Sequence, residues 1–118
     1  MNGIDLGRFT IEEVQNFWEQ MVARNPIDEG ISREQYVVFR LCDCLFALPV
    51  KACRGVFPYR APTPLPSLPA HVVGVAAIRG RPLAVTDISV FFGLKGRPKG
   101  GHMLIVHAEG EETALAVD

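Results

Sequence analysis

The sequence predicts a mainly β protein, an antiparallel barrel of short strands preceded by one amphipathic α-helix. Three observations carry that expectation. Apolar residues recur at helical spacing only near the start, across residues 10–25. From residue 36 onward they alternate or run together in short stretches bounded by Gly, Pro and Asp. No long helical pattern separates those stretches, so the crossovers of a parallel α/β sheet have nothing to be built from.

At 118 residues, with 48% hydrophobic and 21% charged side chains, the chain has the size and makeup of one globular unit. Its formal net charge of −1 creates no long-range field that would recruit nucleic acid or an anionic membrane. The opening residues lack a basic stretch followed by an apolar run, and nothing approaches the roughly 20 apolar residues that span a bilayer. The expectation is a cytoplasmic protein with no membrane insertion. Three cysteines are an odd count, and Cys42 and Cys44 are too close in sequence for an ordinary bridge, so reduced thiols are expected.

The helix is predicted over residues 10–25. Thr10 and Glu13 have the spacing of a capping box, Phe9 can staple onto Val14, and Asn25-Pro26 ends the element. Ile11, Val14, Phe17, Trp18, Met21 and Val22 share one stripe, which either covers the β core or docks on a partner; cover is the simpler use. Residues 1–34 are thus expected to form a helical extension and linker, and residues 35–118 the β domain.

Within that domain, alternation at Tyr36–Leu41 and an apolar run at Cys44–Val50 predict a hairpin turning at Cys42-Asp43. Lys51–Gly55 is expected to form one helical turn, and the prolines from Pro58 to Pro69 an extended connection. His71–Ile78 is nearly all apolar, and its β-branched Val72, Val73, Val75 and Ile78 favour a strand buried on both faces over a buried helix. Arg79–Pro82 carries turn chemistry, Leu83–Asp87 returns as a strand, and Ile88–Phe92 forms a helical turn. A basic glycine-rich loop leads to strands at His102–Ala108 and Thr113–Val117. About six short strands with tight connections fit an SH3-like barrel. The last strand is apolar, so we expect an edge or apolar face near 102–118 to be completed by a second copy or another protein.

Reactive chemistry has no evident home in the sequence. Cys42, Cys44 and Cys53 do not follow the spacing of a zinc knuckle, and the Gly93–Gly101 loop lacks the Lys-Ser/Thr close of a phosphate cradle. No nucleophile is framed by a motif, Glu111-Glu112 falls in a turn and Asp87 stands alone, so no catalytic residue, metal or cofactor is expected. Arg79, Arg81, Lys95, Arg97 and Lys99 could make a basic patch, which with stacking aromatics would suit a small nucleic-acid-binding barrel; the aromatics are missing there. Arg79 is distinct, because it ends an apolar strand just before Gly80 and is projected from a rigid turn toward a partner carboxylate or carbonyl.

The order of segments is also specific. Gln35–Leu41, Leu45–Val50, the proline-rich Thr63–Pro66 and then Gly74-Val75-Ala76-Ala77-Ile78-Arg79-Gly80, followed by an apolar strand and Asp87, together resemble the CheW domain over about residues 34–118. That resemblance implies tandem SH3-like barrels that bridge chemoreceptor tips to a histidine kinase without catalysis. It implies partner-facing positions at Val50, Cys53, Gly74 and Arg79, with Gly80 shaping the turn. The chain departs from the family pattern at Ala77, where Asn is usual, at Cys42, where a turn Gly is common, and in lacking the strands that would follow Asp118. The second barrel is therefore expected to be incomplete, as in a short variant of the frizzy-system type or a fragment. The expected partners are a chemoreceptor cytoplasmic signalling tip, another CheW-like protein or the regulatory domain of a histidine kinase, and a second copy through the C-terminal strand.

Overall fold

The computed structural model describes residues 11–24, 35–94, 100–108 and 110–118. Helix α1 covers Ile11–Met21, with Glu12 and Glu13 in its first turn, where carboxylates oppose the positive end of the helix dipole. Thr10 and Phe9, the expected cap and staple, lie outside the described residues, as does the linker around 25–34. The helix ends sooner than Asn25-Pro26 suggests. Ala23–Arg24 instead forms a two-residue strand, β1, whose pairing with Ala47 and Phe46 gives those backbone groups a sheet partner.

Two sheets follow. Strands β2 (Tyr36–Leu41) and β3 (Cys44–Pro49) form the expected hairpin and, with β1, a three-stranded sheet in the order β1-β3-β2. Cys42 and Asp43 both adopt positive φ, 51° and 68°, as a tight two-residue connection between twisted strands requires. The second sheet has the order β4-β7-β8-β6-β5, with β4 at Cys53–Pro58, β5 at Val72–Ile78, β6 at Arg81–Thr86, β7 at His102–Ala108 and β8 at Glu111–Val117.

Strand β4 is a correction to the sequence reading. Only Val50–Ala52 form a 3₁₀ turn, after which the chain runs extended along β7, with a bulge between Cys53 and Gly55. Arg54, Val56 and Pro58 are exposed while Cys53, Gly55 and Phe57 are half-buried, the alternation of an edge strand with one face inward. Gly55 and Pro58 hid that alternation by resembling turn residues.

The C-terminal strand is a second correction. β8 is not an edge: it pairs antiparallel with β7 along its whole length and parallel with β6 at Val85↔Ala114 and Thr86↔Leu115. Thr113 through Val117 are buried by the molecule's own elements, so the premise for completion by a second copy through this strand is removed. The short parallel contact also departs from the purely antiparallel expectation. Its buried hydroxyls are satisfied: Thr113 Oγ1 donates to the Ala84 carbonyl at 2.8 Å, which leaves Thr86 as donor in the 2.8 Å contact between the two threonine hydroxyls.

β7 and β8 form a wall between two cores. Leu104, Val106, Leu115 and Val117 face a first core with Val14 and Trp18 of α1, Phe39 and Leu41 of β2, and Phe46 and Leu48 of β3. Met103, Ile105, Ala114 and Ala116 face a second core with Ala76 and Ile78 of β5 and Leu83 and Val85 of β6. This explains the near-continuous apolar runs of both strands. β5, expected to be buried on both faces, has one face in the second core, against which the half-buried Val73 also packs; on the other, Val75 is half-buried and Ala77 is exposed.

Candidate partner-binding site

The site grows from the β5–β6 turn. Ile78 and Arg81 are the last paired residues, and Arg79 and Gly80 between them have φ of +54° and +75°. This is the left-handed geometry of a tight hairpin turn, natural for Gly80 and costly for Arg79 by roughly 1–2 kcal/mol. The chain therefore holds an arginine in a conformation that glycine or asparagine would adopt more readily. The side chain reaches across to a ring: its guanidinium carbon lies 4.9 Å from the centroid of the Phe57 ring on β4.

That contact spans two strands that are not neighbours in the sheet order, since β4 and β5 are its two outer strands. Beneath it opens a cleft of about 210 Å³ floored by Phe57, Ile78, Leu83 and Ile105. Its rim carries Arg54, Arg79, Arg81 and Glu112. Arg81 Nη2 lies 3.1 Å from Glu112 Oε2, and His107 Nδ1 lies 3.9 Å from the other carboxylate oxygen. Glu112 is thus a half-buried member of β8 and not a turn residue, because pairing with β7 extends the strand back to Glu111.

The other expected positions lie elsewhere. Val50 opens the 3₁₀ turn with 41% of its surface exposed, and its N–H donates to the Gln35 carbonyl at 3.0 Å. Cys53 is half-buried against the first core, with its thiol 3.6 Å from the Gly55 carbonyl oxygen. Cys53 and Phe57 are four residues apart on one strand, so the two neighbourhoods are separated by about 13 Å. Gly74 is buried and faces this chain's own proline-rich segment: Thr63 pairs with Val75, and a Cβ on Gly74 would sit 2.4 Å from the Thr63 carbonyl oxygen. Its place in the fold is to let that strap close over the outer edge of β5.

The structure therefore brings together Arg79 and Gly80 of the expected set, keeps Val50 and Cys53 as a second neighbourhood, and turns Gly74 inward. Arg54, Phe57 and Glu112 were missed by sequence reasoning. No local signal marked the first two, because Gly55 and Pro58 give their stretch the look of a turn. Of the basic patch, Arg81 is paired with Glu112, and Lys95, Arg97 and Lys99 lie outside the described residues.

The cleft sets guanidinium groups, from two strands and one hairpin turn, over an apolar floor, a chemistry that suits a carboxylate beside an apolar group. The molecule is thus a two-core β module with an arginine-rimmed cleft in its larger sheet. Residues 35–118 match the CheW-like domain model, and the chain belongs to that family. Over 86 residues it is 34% identical to the chemotaxis protein CheW of Rhizobium meliloti (strain 1021), an alignment covering 71% of this chain and 56% of the relative. The crystal structure of the scaffolding protein TtCheW from Thermoanaerobacter tengcongensis is similar at a TM-score of 0.65 and 28% identity, over 74% of this chain and 61% of that one. The chain thus spans little more than half the length of the curated relative it matches.

Proposed function

We propose that this chain is a non-catalytic cytoplasmic adaptor of bacterial chemosensory signalling. It couples a chemoreceptor cytoplasmic signalling tip to another CheW-like protein or to a histidine kinase regulatory domain, with receptor binding the primary contact. Family membership supports the reading, as does the likeness to a protein described as a scaffold. The observation that carries it is Arg79, held over Phe57 at a backbone conformation that arginine adopts only at a cost. Val50, on the exposed 3₁₀ turn beside Cys53, supplies a second apolar contact point.

The test is capture of a receptor cytoplasmic tip by the wild type and by Arg79→Asn. Asparagine accepts the left-handed turn, so this variant removes the guanidinium while keeping the hairpin. Losing a charge-assisted contact of this kind weakens binding by about tenfold or more. Unchanged capture by Arg79→Asn removes Arg79 from the interface, and failure of the wild type to bind any receptor tip ends the adaptor reading.

A further inference from the structure

The cleft under Arg79 has a charge and shape that say more about what enters it. Rim and floor come from all five strands of the larger sheet: Arg54 and Phe57 from β4, Ile78 from β5, Arg81 and Leu83 from β6, Ile105 from β7 and Glu112 from β8. Three guanidiniums face one carboxylate, and that carboxylate is already engaged by Arg81. Among the described residues neither Arg54 nor Arg79 has a carboxylate in ion-pair contact. The rim is therefore positive on balance while the floor is hydrocarbon.

The geometry points to a short acidic and apolar segment of a partner protein as the occupant, one apolar side chain entering between Phe57, Ile78, Leu83 and Ile105 while flanking carboxylates meet Arg54 and Arg79. This rests on Arg79 being a partner-facing anchor and adds the chemistry that it reads. The volume favours a single anchoring side chain, since pockets that enclose drug-sized ligands run about 300–1,000 Å³ and this one has about 210 Å³. A nucleic acid fits poorly, because single strands need open aromatic faces, and the one ring here lies beneath Arg79. A carboxylate suits the rim: the guanidinium fork matches its geometry, and the ring contact orders the Arg79 side chain before the partner arrives.

The experiment is fluorescence polarisation with a short labelled peptide of alternating leucine and glutamate. Two control peptides replace every glutamate with glutamine or every leucine with serine. The expected result is binding of the first peptide at least about tenfold tighter than either control, and a similar loss in the Arg54→Gln, Arg79→Asn double variant. On the unmodified protein, the methyl resonances of Ile78, Leu83 and Ile105 should shift on peptide addition while those of Val14 and Val117, in the other core, stay in place. If the double variant does not fold, those shifts decide alone. Equal binding of a control peptide, displacement of the peptide by inorganic sulfate at equal concentration, shifts centred outside the cleft, or no binding would each overturn the inference. A chain that captures a receptor tip but ignores the peptide overturns it and leaves the adaptor reading standing. Peptide binding in the cleft without capture of any tip supports it and removes the adaptor reading.

Discussion

Gly74 shows how one absent atom organises a surface. Because it has no Cβ, the Thr63 carbonyl can approach and Thr63 can exchange hydrogen bonds of 2.8 and 2.9 Å with Val75, which covers part of an outer strand that would otherwise offer its backbone to other chains. Gly74→Ala is expected to lift the strap and destabilise the fold by about 1–3 kcal/mol, read as a lower denaturation midpoint and faster amide exchange at Val75. His71 is a second residue whose setting has a measurable consequence. It is buried against the Phe91 ring, 5.1 Å between centroids, and burial lowers its pKa below the ordinary 6.5. The unfolded chain therefore takes up a proton near pH 6.5 that the folded chain refuses. Above that pH both states hold His71 neutral and it costs nothing; as pH falls from 6.5 toward the lower folded value, stability is lost with a slope of at most one proton. Urea titrations across this range should show the fall in the wild type and a smaller one in His71→Gln.

Helix α1 belongs to the first core, since Trp18 is fully buried and Phe17 packs edge-on against it at 5.1 Å. From Val14 to Val22 its apolar stripe covers the sheets, the simpler of the two uses that the sequence allowed, while Ile11 at its start stays exposed. Trp18→Ala should cost about 3–5 kcal/mol in equilibrium unfolding. Trp18→Phe should cost clearly less, because among the described residues the indole N–H has no hydrogen-bond partner whose bond its removal would forfeit. Among the strands, β2 and β3 were legible from alternation and a turn, whereas β4 was not, because its glycine and proline carry turn propensity that pairing with β7 overrides.

The whole molecule is joined through β7 and β8. They contribute alternate residues to each core, so neither core can lose its wall without exposing the other. Asp118 adds a tie between the sheets: its N–H donates to the Arg40 carbonyl at 3.0 Å and its carboxylate accepts from the Cys42 N–H at 2.8 Å. The two cores should therefore unfold as one. Trp18 fluorescence, reporting the first, and amide exchange at Ala76 and Leu83, reporting the second, should give coincident denaturant transitions; separated midpoints would show that the cores are independent.

Local chemistry was enough to read the mainly β class, the helix, six of the seven long strands, the Cys42-Asp43 and Arg79-Gly80 turns and the family resemblance. Periodicity, β-branching and turn residues act over a few neighbours along the chain and survive in any tertiary setting. Three matters depended on contacts between distant segments: that β8 lies inside its sheet beside β6, that Gly74 serves a strap from residue 63, and that Arg79 meets Phe57 above a cleft rimmed by Arg54, Arg81 and Glu112. An apolar strand shows that its faces need cover but carries no local sign of what covers them, and an arginine shows its charge but not the ring it will rest on. Those assignments come from the packing of the complete chain, where burial of apolar area outweighs local preference.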